Sequence, residues 1–213
     1  MKAYITLAAP ATGEYEEKRS RFLALAAPVQ TPEQAMALLQ QEKSRYYDAR
    51  HHCFAYRLAD GSKRCSDDGE PQGTAGLPIL DVLERQDLSD CMIVVTRYFG
   101  GTLLGTGGLV HAYAAAAGQA VNAARLLSMR PYRRCRLQCP YPDYGRLPAM
   151  VAESGGYMEE ESFTDAVALT FLLPEEAVDG FCARLTESSG GQLTLTGEAT
   201  VMAALTPEGP VYR

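Results

Sequence analysis

The stretch Arg97-Tyr98-Phe99-Gly100-Gly101-Thr102-Leu103-Leu104-Gly105-Thr106-Gly107-Gly108-Leu109 constrains the fold of this chain more than any other. It follows an apolar, β-branched run, Met92 to Thr96, and precedes an alanine-rich run, Val110 to Ala124. That order reads as strand, glycine-rich loop, helix. Five glycines in nine positions carry a large backbone entropy penalty. They suit a chain that turns tightly or must be approached closely. Backbone N–H groups at a helix start also favour anions. The loop is therefore the first place to look for a ligand, a nucleic acid or a protein partner.

The loop matches neither common phosphate fingerprint. It holds no Gly-Lys-Ser/Thr, so it is not a P-loop, and Gly101-x-x-x-Gly105-x-Gly107 does not fit G-x-G-x-x-G. Close packing of the helix on a sheet, through Ala112 and Ala114 to Ala117, explains part of it. Arg97 and Tyr98 fit that explanation less well. A charged and an aromatic residue at the end of a buried strand face a cleft.

At 213 residues the chain suits one large domain or two small ones. No apolar run approaches the ~18 residues a membrane helix needs. Glu14, Glu16 and Glu17 fall too early for a signal peptide, so a cytoplasmic location is expected. Net charge is −6, with −1 carried by residues 1–125 and −5 by 126–213. Bulk charge therefore excludes a general polyanion binder. Local basic patches remain, at Lys18, Arg19 and Arg21 and at Arg130, Arg133, Arg134 and Arg136. The cysteines, Cys53, Cys65, Cys91, Cys135, Cys139 and Cys182, form no C-x-x-C pair and are expected reduced, without disulfides.

Residues 19–27 suggest a strand. Thr31-Pro32-Glu33 starts a helix that runs to about Arg45, with Thr31 as N-cap. Cys53, Ala55 and Leu58 mark another strand. Ser66 to Gly76 is a polar loop, and Leu77 to Glu84 a helix that Thr74 could cap. Cys91 to Arg97 is a buried-type strand. The pattern changes near Ser128. Strand (Arg133–Cys139), helix (Pro142–Glu153), two strands (Gly156–Ser162, Ala166–Leu172), helix (Glu175–Glu187) and strand (Gln192–Leu205) follow in βαββαβ order. This predicts an α+β chain of two domains, 1–128 and 129–213, the second ferredoxin-like. The tail Pro207–Arg213 is expected to be loosely held.

Two polar constellations remain. In Asp48-Ala49-Arg50-His51-His52-Cys53, three potential metal ligands stand close together, but adjacent residues on a strand point to opposite faces. One His should support the fold while the other lines a cleft. In Cys65-Ser66-Asp67-Asp68-Gly69-Glu70-Pro71-Gln72-Gly73-Thr74-Ala75-Gly76, three carboxylates could hold Mg²⁺ or act as acid–base groups. They are also ordinary turn residues and lack the spacing of a calcium loop. No cofactor or metal is expected, and no catalytic triad assembles.

Together these segments resemble the IMPACT/YigZ family. The resemblance rests on Lys18-Arg19-Ser20-Arg21-Phe22, Asp48 to Cys53, Ser66 to Gly76, Val95 to Gly101 and Leu104 to Val110, and spans about residues 17–117. It implies an N-terminal α/β domain like the second domain of ribosomal protein S5. It also implies a ferredoxin-like C-terminal domain similar to the last domain of translocating elongation factors. Eukaryotic members regulate translation by competing for an activator of the amino-acid-starvation kinase. Where the family often has Lys or Arg, this chain has Leu77 and His111, which removes positive charge.

The expectation is a non-enzymatic cytoplasmic protein that binds the translation machinery (ribosome, RNA or a translation-associated protein) through a glycine-rich cleft. Its candidate ligand-binding residues are Arg50, His51, His52, Asp67, Asp68, Glu70, Thr74, Arg97, Tyr98, Gly100, Gly101, Gly105, Thr106, Gly107 and Gly108. The alternatives are an enzyme acting on a phosphorylated small molecule, with the glycine loop as phosphate cradle, and a module docking through its acidic C-terminal domain.

Overall fold

A computed structural model describes residues 2–213, the side chain of residue 198 excepted. In chain order the elements are β1 (Tyr4–Leu7), β2 (Ala11–Glu17), β3 (Ser20–Pro28), α1 (Pro32–Arg45), β4 (His51–Arg57), β5 (Lys63–Ser66), α2 (Gly76–Arg85), β6 (Cys91–Tyr98) and α3 (Gly105–Asn122). Then come β7 (Leu126–Cys139), α4 (Tyr141–Tyr144), α5 (Leu147–Glu153), β8 (Tyr157–Phe163), β9 (Val167–Pro174), α6 (Val178–Ser189), β10 (Thr196–Thr206) and β11 (Gly209–Tyr212). The chain is α+β and divides into two compact units, Tyr4–Leu127 and one built from Ser128–Arg213.

The first unit carries an antiparallel sheet of order β2-β3-β6-β4-β5. The apolar run of β6 puts it at the centre, because both of its faces are covered. Ile93 and Val95 pack under α2 and α3, against Ile79, Leu83, Ala112 and Ala116. Met92 and Val94 face α1 with Phe54, Tyr56 and Ala35. The alanines of α3 let strands approach closely. A Cβ at Gly13 of β2 would strike the backbone of Ala120, so glycine is required there. Thr31 caps α1 as the sequence predicts, accepting from Gln34 N at 3.3 Å.

The second unit has the βαββαβ order, with β10-β7-β9-β8 antiparallel and β11 added beside β10. That is the ferredoxin-like arrangement. Phe171, Leu173, Cys135 and Leu137 of the sheet meet Leu147 and Val151 of α5 and Phe181 and Leu185 of α6. Gly190, at φ +59, ends α6 in the left-handed conformation.

Several local expectations are corrected. β1, β2 and β5 are strands in segments where the sequence raised no expectation. The single helix expected over Pro142–Glu153 is two, because the ring of Pro148 clashes with a carbonyl one turn back. α3 begins inside the glycine run, at Gly105. The tail expected to be loose forms β11, with Val211 opposite Ala204 and the guanidinium of Arg134 5.1 Å from the Tyr212 ring centre.

Candidate functional site

Within the first unit, the C-terminal end of β6 opens into a cleft of about 700 Å³. Its walls are the start of β4 (Arg50, His51), the loop at Glu70 and Pro71, the strand end Arg97-Tyr98-Phe99, and Leu103 to Thr106 at the head of α3.

The loop after β5 is held by its own carboxylates. Asp67 accepts from the backbone N–H groups of Gly73 (2.8 Å), Ala75 (3.0 Å) and Gly76 (2.8 Å). Burial pushes the Asp67 carboxyl up, yet those three donors outweigh it and hold the group below the usual carboxylate range. Asp67 thereby does what was expected of Thr74. The Thr74 hydroxyl instead donates to the Pro71 carbonyl at 2.7 Å, and Ala75 is the N-cap of α2 without a side-chain bond. Asp68, at φ +42, accepts from His52 N (2.7 Å) and Lys43 Nζ (3.2 Å). Glu70 accepts from Arg97 Nη1 and from the Tyr113 hydroxyl, each at 2.7 Å. All three carboxylates are thus engaged by the fold. No group of three His, Cys, Asp or Glu side chains among the described residues is placed to hold a metal ion.

The two histidines separate by the strand's alternation. His51 lines the cleft, its Nδ1 3.0 Å from the Asp68 carbonyl oxygen. His52 is buried behind it, Nε2 3.2 Å from the Tyr46 carbonyl oxygen. Burial lowers the His52 pKa, and the contact with Tyr46 only partly offsets this. Cys53 is equally inaccessible. Its Sγ lies 2.9 Å from the Asp67 carbonyl oxygen and 3.3 Å from the Tyr113 hydroxyl, and burial pushes its thiol up. All six cysteines are free thiols.

Arg97 sits at the cleft's floor, 7% exposed against 4% for Glu70. Its guanidinium lies 5.4 Å from the Phe22 ring centre and 5.6 Å from that of Phe99. Its Nε is buried with no hydrogen-bond acceptor. The Tyr98 hydroxyl donates to Asp48 at 2.7 Å, a bond that pushes the phenol up to about 12. Phe99 is 56% exposed at the rim.

The glycines sort into two groups. Gly100 is a packing glycine, since a Cβ there would collide with the backbone of Arg19 and Ser20, and its N–H donates to Ser20 Oγ at 3.0 Å. At Gly108 a Cβ would stand 3.1 Å from the Leu104 Cβ. Gly101 (φ +86) and Gly105 (φ +71) need glycine for their backbone, and the space beside both is open. Gly107 has open space as well, without a positive φ. Gly105 and Thr106 line the cleft, while Gly107 faces a second groove of about 630 Å³ between α2 and α3. Leu77 and His111 line that second groove, so the two positions read as lost charges stand away from the main cleft.

The cleft therefore gathers Arg50, His51, Glu70, Arg97, Tyr98, Gly105 and Thr106. His52, Asp67, Asp68, Thr74 and Gly100 support it from behind. Sequence reasoning missed Asp48 and Tyr113, which orient Tyr98 and Glu70. The signal for Tyr113 was available, as the lone hydroxyl-bearing side chain in an alanine run. The expected basic patch on β7 does not form. Arg130, Arg133 and Arg134 pair with Glu176 (3.9 Å), Glu175 (4.0 Å) and Glu159 (2.7 Å).

Residues 18–121 match the Impact N-terminal domain, and residues 137–192 match a domain of unknown function, DUF1949. The chain is 37% identical to "IMPACT family member YigZ" of Escherichia coli (strain K12), over 92% of this chain and 98% of the relative. It is 30% identical to "IMPACT family member YvyE" of Bacillus subtilis (strain 168), over 95% and 94%. "Protein IMPACT" of Bos taurus is 36% identical over 45% of this chain and 31% of its own length. A solved structure described as the crystal structure of an hypothetical protein superposes with a TM-score of 0.61 at 35% identity, over 93% of this chain and 98% of the other.

Proposed function

Because this chain belongs to the IMPACT family, we propose that it is a cytoplasmic binding protein of the translation apparatus, engaging ribosome, RNA or a translation-associated protein through the cleft at the end of β6. Among the described residues, no helix is long and apolar enough to cross a membrane. The translational role follows from the family resemblance of the N-terminal motifs.

The observation that carries binding over catalysis is the state of the ionisable groups. Asp67, Asp68 and Glu70 each accept hydrogen bonds from the fold, which commits them to holding the loop. The Cys53 thiol is buried and pushed up, the opposite of an activated nucleophile. The cleft instead offers a cation, exposed aromatic surface and open backbone N–H groups, which are recognition chemistry.

Co-sedimentation with ribosomes across a salt series tests the reading. Retention at low salt that fades as salt rises is expected, with Arg50→Glu retained more weakly. No retention of ribosomes, ribosomal RNA or translation factors at any salt would overturn it.

A further inference from the structure

The floor of the cleft is incompletely satisfied. Arg97 is nine-tenths buried, gives Nη1 to Glu70, and leaves Nε without an acceptor. Native interiors rarely leave such a donor unanswered. The same cleft is lined by Gly105 and Thr106, the first two residues of the 18-residue helix α3. That helix start has no side-chain cap and no acid in its first turn. Its N–H groups and dipole present partial positive charge to the cleft. Gly105, at φ +71, has open space where a Cβ would stand, so nothing crowds an approaching group there.

Charge and shape narrow the ligand. Two carboxylates, Asp48 and Glu70, also line the cleft, but Tyr98 and Arg97 hold them. Arg50 stands beside them with no ion-pair partner among the described residues. An anion alone would leave the exposed ring of Phe99 unused. An apolar group alone would leave Arg50 and the first turn of α3 unanswered. A flat exposed ring backed by a guanidinium suits a planar base. The volume lies within the ordinary range for small-ligand sites.

Resting on the binding reading above, we infer that this cleft takes one nucleotide unit, with its phosphate on the first turn of α3 and Arg97 and its base on Phe99. A free nucleotide and a nucleotide of single-stranded RNA share that chemistry.

The test uses the full chain at low salt with three probes: a labelled oligouridylate, uridine monophosphate and inorganic pyrophosphate. Thr106→Asp places a carboxylate in the cleft-lining first turn of α3, where it favours the helix and repels an anion. The protein stays folded, and binding of all three probes is lost. Phe99→Ala weakens the two base-bearing probes about tenfold and leaves pyrophosphate unchanged. Tighter binding of the oligouridylate, with a steep salt dependence, identifies RNA. Equal binding of the monophosphate identifies a free nucleotide. No binding of either base-bearing probe to the wild-type chain overturns the inference, as does a Thr106→Asp variant that binds unchanged. So does an acidic peptide that occupies the cleft where the nucleotides do not. Ribosome retention by a chain that binds neither nucleotide probe overturns this inference alone. Nucleotide binding without ribosome retention overturns the translational reading alone.

Discussion

In the unit built from Tyr4–Leu127, the ion pair at the site lies inside, with Arg97 and Glu70 at 7% and 4% exposure. In the unit built from Ser128–Arg213, the sheet's arginines stay near the surface, with Arg134 and Glu159 at 33% and 13%. Both units are α+β, and both contain arginine on a strand facing glutamate. The difference lies in burial. The pairs of β7 lie along a sheet face, where water screens them. The buried pair fixes the geometry of a cleft. An unanswered guanidinium Nε occurs in both units, at Arg97 and at Arg133, so what sets the first pair apart is that it lines a cleft.

Five substitutions can break or sharpen that contrast. Glu70→Ala leaves Arg97 buried without its partner, and should destabilise the first unit by about 4 kcal/mol in urea unfolding. Asp67→Ala removes the acceptor of three loop N–H groups, and should cost about 3 kcal/mol. Because the Asp67 carboxyl is held low, its contribution is present above the unfolded value of about 3.9 and is lost as pH falls through the lower folded value. Asp67→Asn should therefore flatten the acid limb of stability measured by thermal melts. Gly107→Ala should stabilise by about 1 kcal/mol, since nothing crowds the added methyl. Glu159→Ala should cost under about 1 kcal/mol, because water screens what remains of the pair. A Glu159 effect as large as that of Glu70 would erase the contrast.

Much of this architecture was legible from period and punctuation. The apolar run of β6, the Thr31-Pro32 start of α1 and the βαββαβ order all lie in local sequence. β2 did not, because Ala11–Glu17 holds three glutamates and a single large side chain with apolar surface, Tyr15, and gains its burial from α3. Its turn was equally hidden. Lys18 (φ +48) and Arg19 (φ +66) occupy left-handed conformations that Asn-Gly ordinarily signals. The same pair read as a basic cluster, and it is the turn against which Gly100 packs. At the site, the residue types and their loops could be read, but not their partners. That Asp67, rather than Thr74, holds the start of α2 depends on a loop closing on itself. That Glu70 meets Tyr113 depends on contact between residues 43 positions apart.

The central place of β6 also sets an order in time. β3 and β4 pair only with β6, β2 and β5, and both lie earlier in the chain than β6. During synthesis, a β2–β3 hairpin and a β4–β5 hairpin can form while their inner edges have nothing to bond. The sheet closes only after Tyr98 has emerged, and its covering helix α3 must follow. Arg97, Glu70 and Gly105 come together in that last step, so a nascent chain lacks the cleft until nearly all of the first unit has left the ribosome.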